Sequence, residues 1–156
     1  MICDVEMVRH GITGVDVACF LGDAVASDGL TRSAAGVRAA ARRHPDGAVW
    51  VVGCAPTALE ELIRLAAAGE VRPAYVIGLP VGFVGAAESK EALRASGLPA
   101  VSNVGVKGGS AVAAAACNAL VRLAKAASWP AGRASASEPD GGGARGRSPR
   151  GNKEHR

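Results

Sequence analysis

Three glycine-bearing turns hold most of the chemistry legible in this chain: GCAPT at 53–57, GLPVGFVGAAESK at 78–90 and GVKGGS at 105–110. Each follows a short apolar run and precedes a helical pattern. A turn of that kind gathers free backbone N–H groups and the positive end of a helix dipole in one place, which suits an anion. Close packing of a helix on a strand calls for the same glycines, so a single turn decides little. Three of them, with Arg32 and Lys107 nearby in the pattern, point to an anionic ligand. Neither common nucleotide motif accounts for them. A P-loop needs G-x-x-x-x-G-K-[ST], whereas Lys107 precedes the paired glycines; and Pro80 stands where a dinucleotide fingerprint wants a donor-rich turn.

Other residues are candidates with a plainer alternative beside each. Cys54 lies at a strand end before a helix, where a thiolate can be stabilised, yet no base can be assigned to it and a packed cysteine fits the position as well. His10 falls in the loop after the first strand and reads as an acid or base, or as a solvated side chain. His44 reads as a helix-end cation and His155 as a tail residue. Asp4 and Glu6 share a face if the first strand is regular, giving a carboxylate pair or a face turned to water. Thr31-Arg32-Ser33 combines an arginine with two hydroxyls at a helix start, suited to gripping a carboxylate or to a plain cap.

These residues must be held by alternating strands and helices. ICDVEMV at 2–8 alternates apolar and acidic residues and predicts a strand, with a loop through Gly11 and Gly14. A second short strand is expected over 17–21. After a turn at Asp28-Gly29, Thr31 caps a helix through TRSAAGVRAAARRH, whose closing Arg42, Arg43 and His44 suit the helix dipole. AVWVV at 48–52 is the next strand, and Pro56 and Thr57 suit the cap and first turn of the helix after it. YVI at 75–77 leads through the longest turn into a helix opened by Glu88, Ser89 and Lys90. A strand over 98–103 and a long Ala-rich helix from about Ser110 to Lys125 complete the body. The alternation implies an α/β fold, a parallel sheet with helices on both faces, in a single domain over 1–127. In such sheets ligands bind at the carboxyl ends of the strands.

Composition sets the limits. At 156 residues, 49% apolar and 3% aromatic, the core must be built from Ala, Val, Leu and Gly. From Trp129 onward six Lys or Arg face three Asp or Glu, so +3 of the net +4 belongs to that stretch and no nucleic-acid footprint falls on the body. The stretch 128–156 is Gly, Ser, Pro and Arg with almost nothing apolar, and is expected to be a disordered basic tail. Cys3, Cys19, Cys54 and Cys117 form no C-x-x-C pair and read as small buried hydrophobes, with no metal site. No apolar run is expected to reach the length of a membrane span, and no signal-peptide pattern follows Met1, so a cytoplasmic protein without a membrane partner is expected.

Taken together, ICDVEMV followed by HGIT, TRSAAG, VVGCAPTAL, IGLPVGFVGAAESKEAL and GGSAVAAAACNAL resemble the precorrin-8X methylmutases, also known in a cobalt-precorrin-8 form. The matching stretches run in order from Ile2 to Leu123. The resemblance implies a homodimer with its active site near the subunit interface, and an intramolecular methyl shift from C-11 to C-12 of a tetrapyrrole, giving hydrogenobyrinic acid without a cofactor. It implies a protonated histidine as general acid. That histidine belongs to a further N-terminal segment of family members, ahead of the strand that Met1 begins here, so no catalytic residue is assigned in this chain. The resemblance assigns substrate binding and orientation to Thr13 and Arg32. The many carboxylates of a tetrapyrrole suit the anion-binding turns, which bring in Gly82, Lys107, Gly108, Gly109 and Ser110. Two departures are visible: Cys54 stands for the usual Asn of GNAPTAL, and Val106 for the usual Arg of GRKGGS. Without the N-terminal segment the body is expected to expose apolar surface. The alternative is a tetrapyrrole-binding protein that keeps the anion-binding turns and lacks the acid.

Overall fold

The computed structural model describes residues 1–24 and 29–127. The tail at 128–156 and Asp28 of the expected turn lie outside the described residues. The chain runs β1 (Ile2–Cys3), α1 (Glu6–Gly11), β2 (Ala18–Cys19), α2 (Arg32–Arg43), β3 (Val49–Val52), α3 (Pro56–Ala67), β4 (Tyr75–Gly78), α4 (Ala86–Ala95), β5 (Ala100–Val101) and α5 (Ser110–Ala127). The five strands form one parallel sheet in the order β2-β1-β3-β4-β5, the expected α/β architecture.

The period of two along each strand divides the core into two layers. Ile2, Trp50, Val52 and Val76 face α2, α3 and α4 on one side, joined by Ala18 and Ala100. Cys3, Val51 and Ile77 face α1 and α5 on the other, joined by Cys19 and Val101. Residues next to each other in sequence thus serve opposite layers, and β3, β4 and their flanks need apolar side chains at every position. Because the order reverses between β1 and β3, the chain leaves those neighbours toward opposite faces.

The expected first strand is cut short. Only Ile2 and Cys3 pair, to Ala18 and Cys19 on one side and Trp50 and Val51 on the other. Glu6 instead opens α1, so Asp4 and Glu6 do not share a strand face and His10 lies on a helix. The physical reason is a competing period: Val8 and Ile12 stand four apart, both are buried, and that stripe packs against α5. An Arg9–Glu6 ion pair at 2.6 Å closes the short helix.

Elsewhere the local signals operate as read. Thr31 caps α2, its hydroxyl accepting from the Ala34 N–H at 3.2 Å. Pro56 takes the first turn of α3, where a missing N–H costs nothing. One expectation needs correcting: α5 runs 18 residues at a mean hydropathy of 1.2, long and apolar enough by composition to cross a membrane. Its apolarity is largely alanine, and Ala113, Ala114 and Cys117 on one face are buried in the α1/α5 layer.

Helices α2 and α3 are joined across their polar seam by Glu61, a buried carboxylate held by Arg38 and by Arg64 at 3.0 Å. Burial alone would raise its pKa; the hydrogen bonds from Arg64 and Arg38 outweigh that and hold it below the usual glutamate range. A depressed folded pKa means this stabilisation is complete above the ordinary glutamate range and is lost as pH falls through the lowered folded value. Glu61→Gln is therefore expected to cost about 1–2 kcal/mol at pH 7, since both arginines are partly solvated and rehydrate when released. In urea unfolding the gap between wild type and variant should close as pH falls below the ordinary glutamate value of 4.5; a constant gap would show that Glu61 acts through packing alone.

Candidate active site at the carboxyl ends of the strands

The carboxyl ends of β1, β3, β4 and β5 all open on one side of the sheet, and the turns singled out by sequence sit there. Their backbone donors are not equally free. Asp4, buried directly after β1, reaches across to the turn after β3. Its Oδ1 accepts from the Gly53 N–H at 3.0 Å, and its Oδ2 from the N–H groups of Cys54 at 2.8 Å and Ala55 at 3.0 Å. The anion in the GCAPT turn is thus a side chain of this protein. Burial pushes the Asp4 carboxyl up, and the three N–H donors offset part of that rise. Sequence reasoning missed this residue's role, although an acid closing an apolar strand beside a Gly turn is the signal that carries it.

Cys54 is exposed, not packed as expected. Although the residue is exposed, partial desolvation of its sulfur against the turn, and then the Asp4 charge, raise its pKa, so it stays a thiol at neutral pH. With the turn's N–H groups engaged by Asp4, nothing stabilises a thiolate there. Cys19 is half-buried, Cys3 and Cys117 are buried, and all four are free. No cluster of His, Cys, Asp and Glu able to hold a metal occurs among the described residues.

The other two turns interlock. Gly109 donates its N–H to the Leu79 carbonyl at 2.9 Å, and Gly82 donates to Val106 at 3.2 Å. Gly108 lies so close that a Cβ there would come within 2.4 Å of the Leu79 oxygen and 2.5 Å of the Pro80 oxygen. Only glycine fits. Gly109 caps α5, accepting from Ala113 at 2.9 Å, so the N–H groups of Ser110, Ala111 and Val112 have no acceptor within the helix. Lys107 is exposed beside them.

Five apolar side chains are exposed on these two loops: Val81, Phe83, Val84, Val104 and Val106, with Phe83 93%, Val84 88% and Val104 81% accessible. An apolar surface next to a cation and a helix amino end suits a ligand with an apolar body and anionic substituents.

The structure brings together Gly82, Lys107, Gly108, Gly109 and Ser110. Arg32, at the start of α2, is on the same side of the sheet but above the other layer. Its Nε donates to the Leu21 carbonyl at 3.2 Å, and the neighbouring Thr31 hydroxyl meets that of Thr57 at 2.8 Å. Thr13 lies elsewhere. Its N–H is held by Asn118 at 2.9 Å. Asn118 is two turns along α5 from Ser110, a rise of about 12 Å toward the amino ends of the strands. His10 bonds the Glu6 carbonyl through Nδ1 at 2.7 Å. His44 packs on Phe20, its ring centre 5.8 Å away, at the end of α2 that feeds the amino end of β3.

The family model for precorrin-8X methylmutase matches residues 1–123. The chain belongs to the precorrin-8X methylmutase family. It is 42% identical over 130 residues to the cobalt-precorrin-8 methylmutase of Methanocaldococcus jannaschii, covering 80% of this chain and 61% of that protein. It is 47% identical over 133 residues to the precorrin-8X methylmutase of Pseudomonas aeruginosa, covering 77% and 64%. Among solved structures, the precorrin-8X methyl mutase of Thermus thermophilus superimposes with a TM-score of 0.70 at 36% identity, over 81% of this chain and 67% of that one. The chain thus spans about three fifths of the length of the curated methylmutases it matches.

Two substitutions test this account of the methylmutase turns. Asp4→Asn would turn an amide N–H₂ toward backbone N–H donors, and is expected to lower unfolding free energy by about 3 kcal/mol in urea titrations. Gly108→Ala forces the two loops apart and should cost about 2 kcal/mol. By contrast, Cys54→Ser should stay within about 0.5 kcal/mol of wild type. The rate at which Cys54 reacts with a disulfide reagent should still be rising with pH at 9.0, the ordinary thiol value that its own exceeds, where an unperturbed thiol is already levelling off.

Proposed function

We propose that this chain forms the α/β body of an isomerase of corrin biosynthesis, which moves a methyl group from C-11 to C-12 of precorrin-8X or its cobalt form to give hydrogenobyrinic acid or its cobalt counterpart. The observation that carries the reading is the exposed apolar surface of Val81, Phe83, Val84, Val104 and Val106 set beside Lys107 and the amino end of α5. A tetrapyrrole is a broad apolar ring bearing acetate and propionate groups at its edge. Its face would lie on the five apolar side chains, and a carboxylate would take the N–H groups of Ser110 and its neighbours with the Lys107 ammonium. Arg32, at the amino end of α2 on the same side of the sheet, is the cation proposed for a second carboxylate. Thr13 belongs to a different part of the surface and is left out of this contact.

A methyl shift within one molecule needs no electron or group acceptor, only an acid that favours migration and a site that holds the ring. His10 and His44 are engaged on α1 and against Phe20, and neither is placed among the two loops. That placement favours a second reading of this chain taken alone, as a tetrapyrrole-binding protein without the acid. Association into a homodimer is part of the same proposal. Leu120 and Leu123 are exposed on α5, beside a groove of about 350 Å³ lined by Met1, Val49, Tyr75, Ile77, Cys117 and Leu120.

Visible-absorbance titration with hydrogenobyrinic acid tests the binding claim. Saturable spectral change is expected, and Lys107→Ala should weaken it about tenfold, the loss of one charge-assisted contact. Binding that is insensitive to Lys107 and to Phe83→Ala would place the ligand elsewhere. Turnover of precorrin-8X by the same sample supports the isomerase; binding without turnover supports the second reading.

A further inference from the structure

Lys90 is a charge with no solvent. It sits in the second turn of α4, and none of the residue is accessible. Its Nζ donates to Asn103 Oδ1 at 3.1 Å and to the Lys107 carbonyl at 2.7 Å, while Asn103 Nδ2 donates to the same carbonyl at 2.8 Å. Both acceptors are neutral, and the ion pairs among the described residues include none to Lys90. The charged group acting on it is Arg94, one turn further along α4, which itself donates to Ser102 Oγ and to the Asn103 carbonyl at 3.0 Å. Burial first, and Arg94 second, hold the ammonium below the usual lysine range.

A buried ammonium without a carboxylate costs folding free energy, and an apolar chain of the same length would fill the space at less cost. What the lysine adds is direction. The Lys107–Gly108 peptide is trans, so a carbonyl held inward against Lys90 turns the Gly108 N–H the opposite way, outward. The Gly108 contact with the Leu79 and Pro80 oxygens then fixes the plane from the other side.

We propose that Lys90 is a positioning residue which, by holding the Lys107 carbonyl, aims the 107–110 backbone and the Lys107 side chain at a carboxylate of the ligand. This rests on the site reading given under Proposed function and deepens it. The hold on the loop can be measured without any ligand, so the two claims fail separately.

Hydrogen exchange of the 103–109 amides in ligand-free protein is the first test. Lys90→Met is expected to speed exchange there about tenfold, the loss of a charged hydrogen bond, while the melting temperature holds within about 2 °C or rises. Asn103→Ala, a change at the loop surface, should act in the same direction and less. A lowered melting temperature with unchanged loop exchange would make Lys90 a structural residue and overturn the proposal. Should Lys90→Met not fold, Asn103→Ala decides by the same reading. In the hydrogenobyrinic acid titration Lys90→Met should weaken binding about tenfold. Unchanged affinity alongside faster loop exchange would overturn the role in binding. No binding by the wild type would overturn the site reading, and the exchange data would still decide the hold of Lys90 on the loop.

Discussion

The arrangement of this molecule depends on one carboxylate. In a parallel sheet of order 2-1-3-4-5, the crevice between β1 and β3 is where the chain leaves toward opposite faces, and where ligands commonly find open backbone donors. Asp4 fills it. Three N–H groups that a helix start and a tight turn would otherwise leave open are taken by one side chain from the neighbouring strand. This ties β1 to β3 although β1 contributes only two residues to the sheet, and it sets the angle at which α3 departs. It also removes the GCAPT turn from the set of sites open to an external anion.

The remaining donors lie further along the sheet. Between β4 and β5 the loops bond mainly to each other through Gly82, Gly108 and Gly109, and the first turn of α5 is left with its N–H groups unspent. Ordering the loops in this way has an energetic logic. A ligand that must freeze a mobile loop loses that entropy from its affinity, whereas one that meets a loop already fixed by backbone contacts does not. The buried Lys90 belongs to the same economy of order, since it stabilises one orientation of a peptide plane rather than the domain as a whole.

Much of this was legible from residues alone. The Thr31 cap, Pro56 at the start of α3, the apolar runs that became β3 and β4, and the alternation that implies a parallel sheet are local signals, and local signals survive folding when nothing opposes them. The first strand misled because ICDVEMV carries two periods at once. The alternation of two suggested a strand, and the spacing of Val8 and Ile12 suggested a helix; contact with α5, more than a hundred residues away, chose the second. For the same reason the partners of Asp4, Lys90 and Asn118 were not legible. Each residue is defined by a partner in another element: Gly53 for Asp4, Lys107 for Lys90, Gly11 and Thr13 for Asn118. The separation of Thr13 from Lys107 was likewise invisible until the direction of α5 fixed which residues lie at its two ends.

Two of the uncovered apolar surfaces differ in kind. The one at the carboxyl ends is built from loop side chains, with Phe83 at the tip of a turn, and it borders a cation and unspent N–H groups. The one beside α5 is a groove between that helix and the face of the sheet at β3 and β4, lined by Val49, Ile77, Leu120 and Val121 with little polar surface. A charged small molecule gains nothing from the second, because desolvating its carboxylates there would go uncompensated. Another protein surface gains little from the first without an anion to place at α5. The two surfaces therefore suit chemically different contacts. The groove beside α5 thus suits contact with apolar polypeptide side chains, which need no compensation there, and not with a charged ligand.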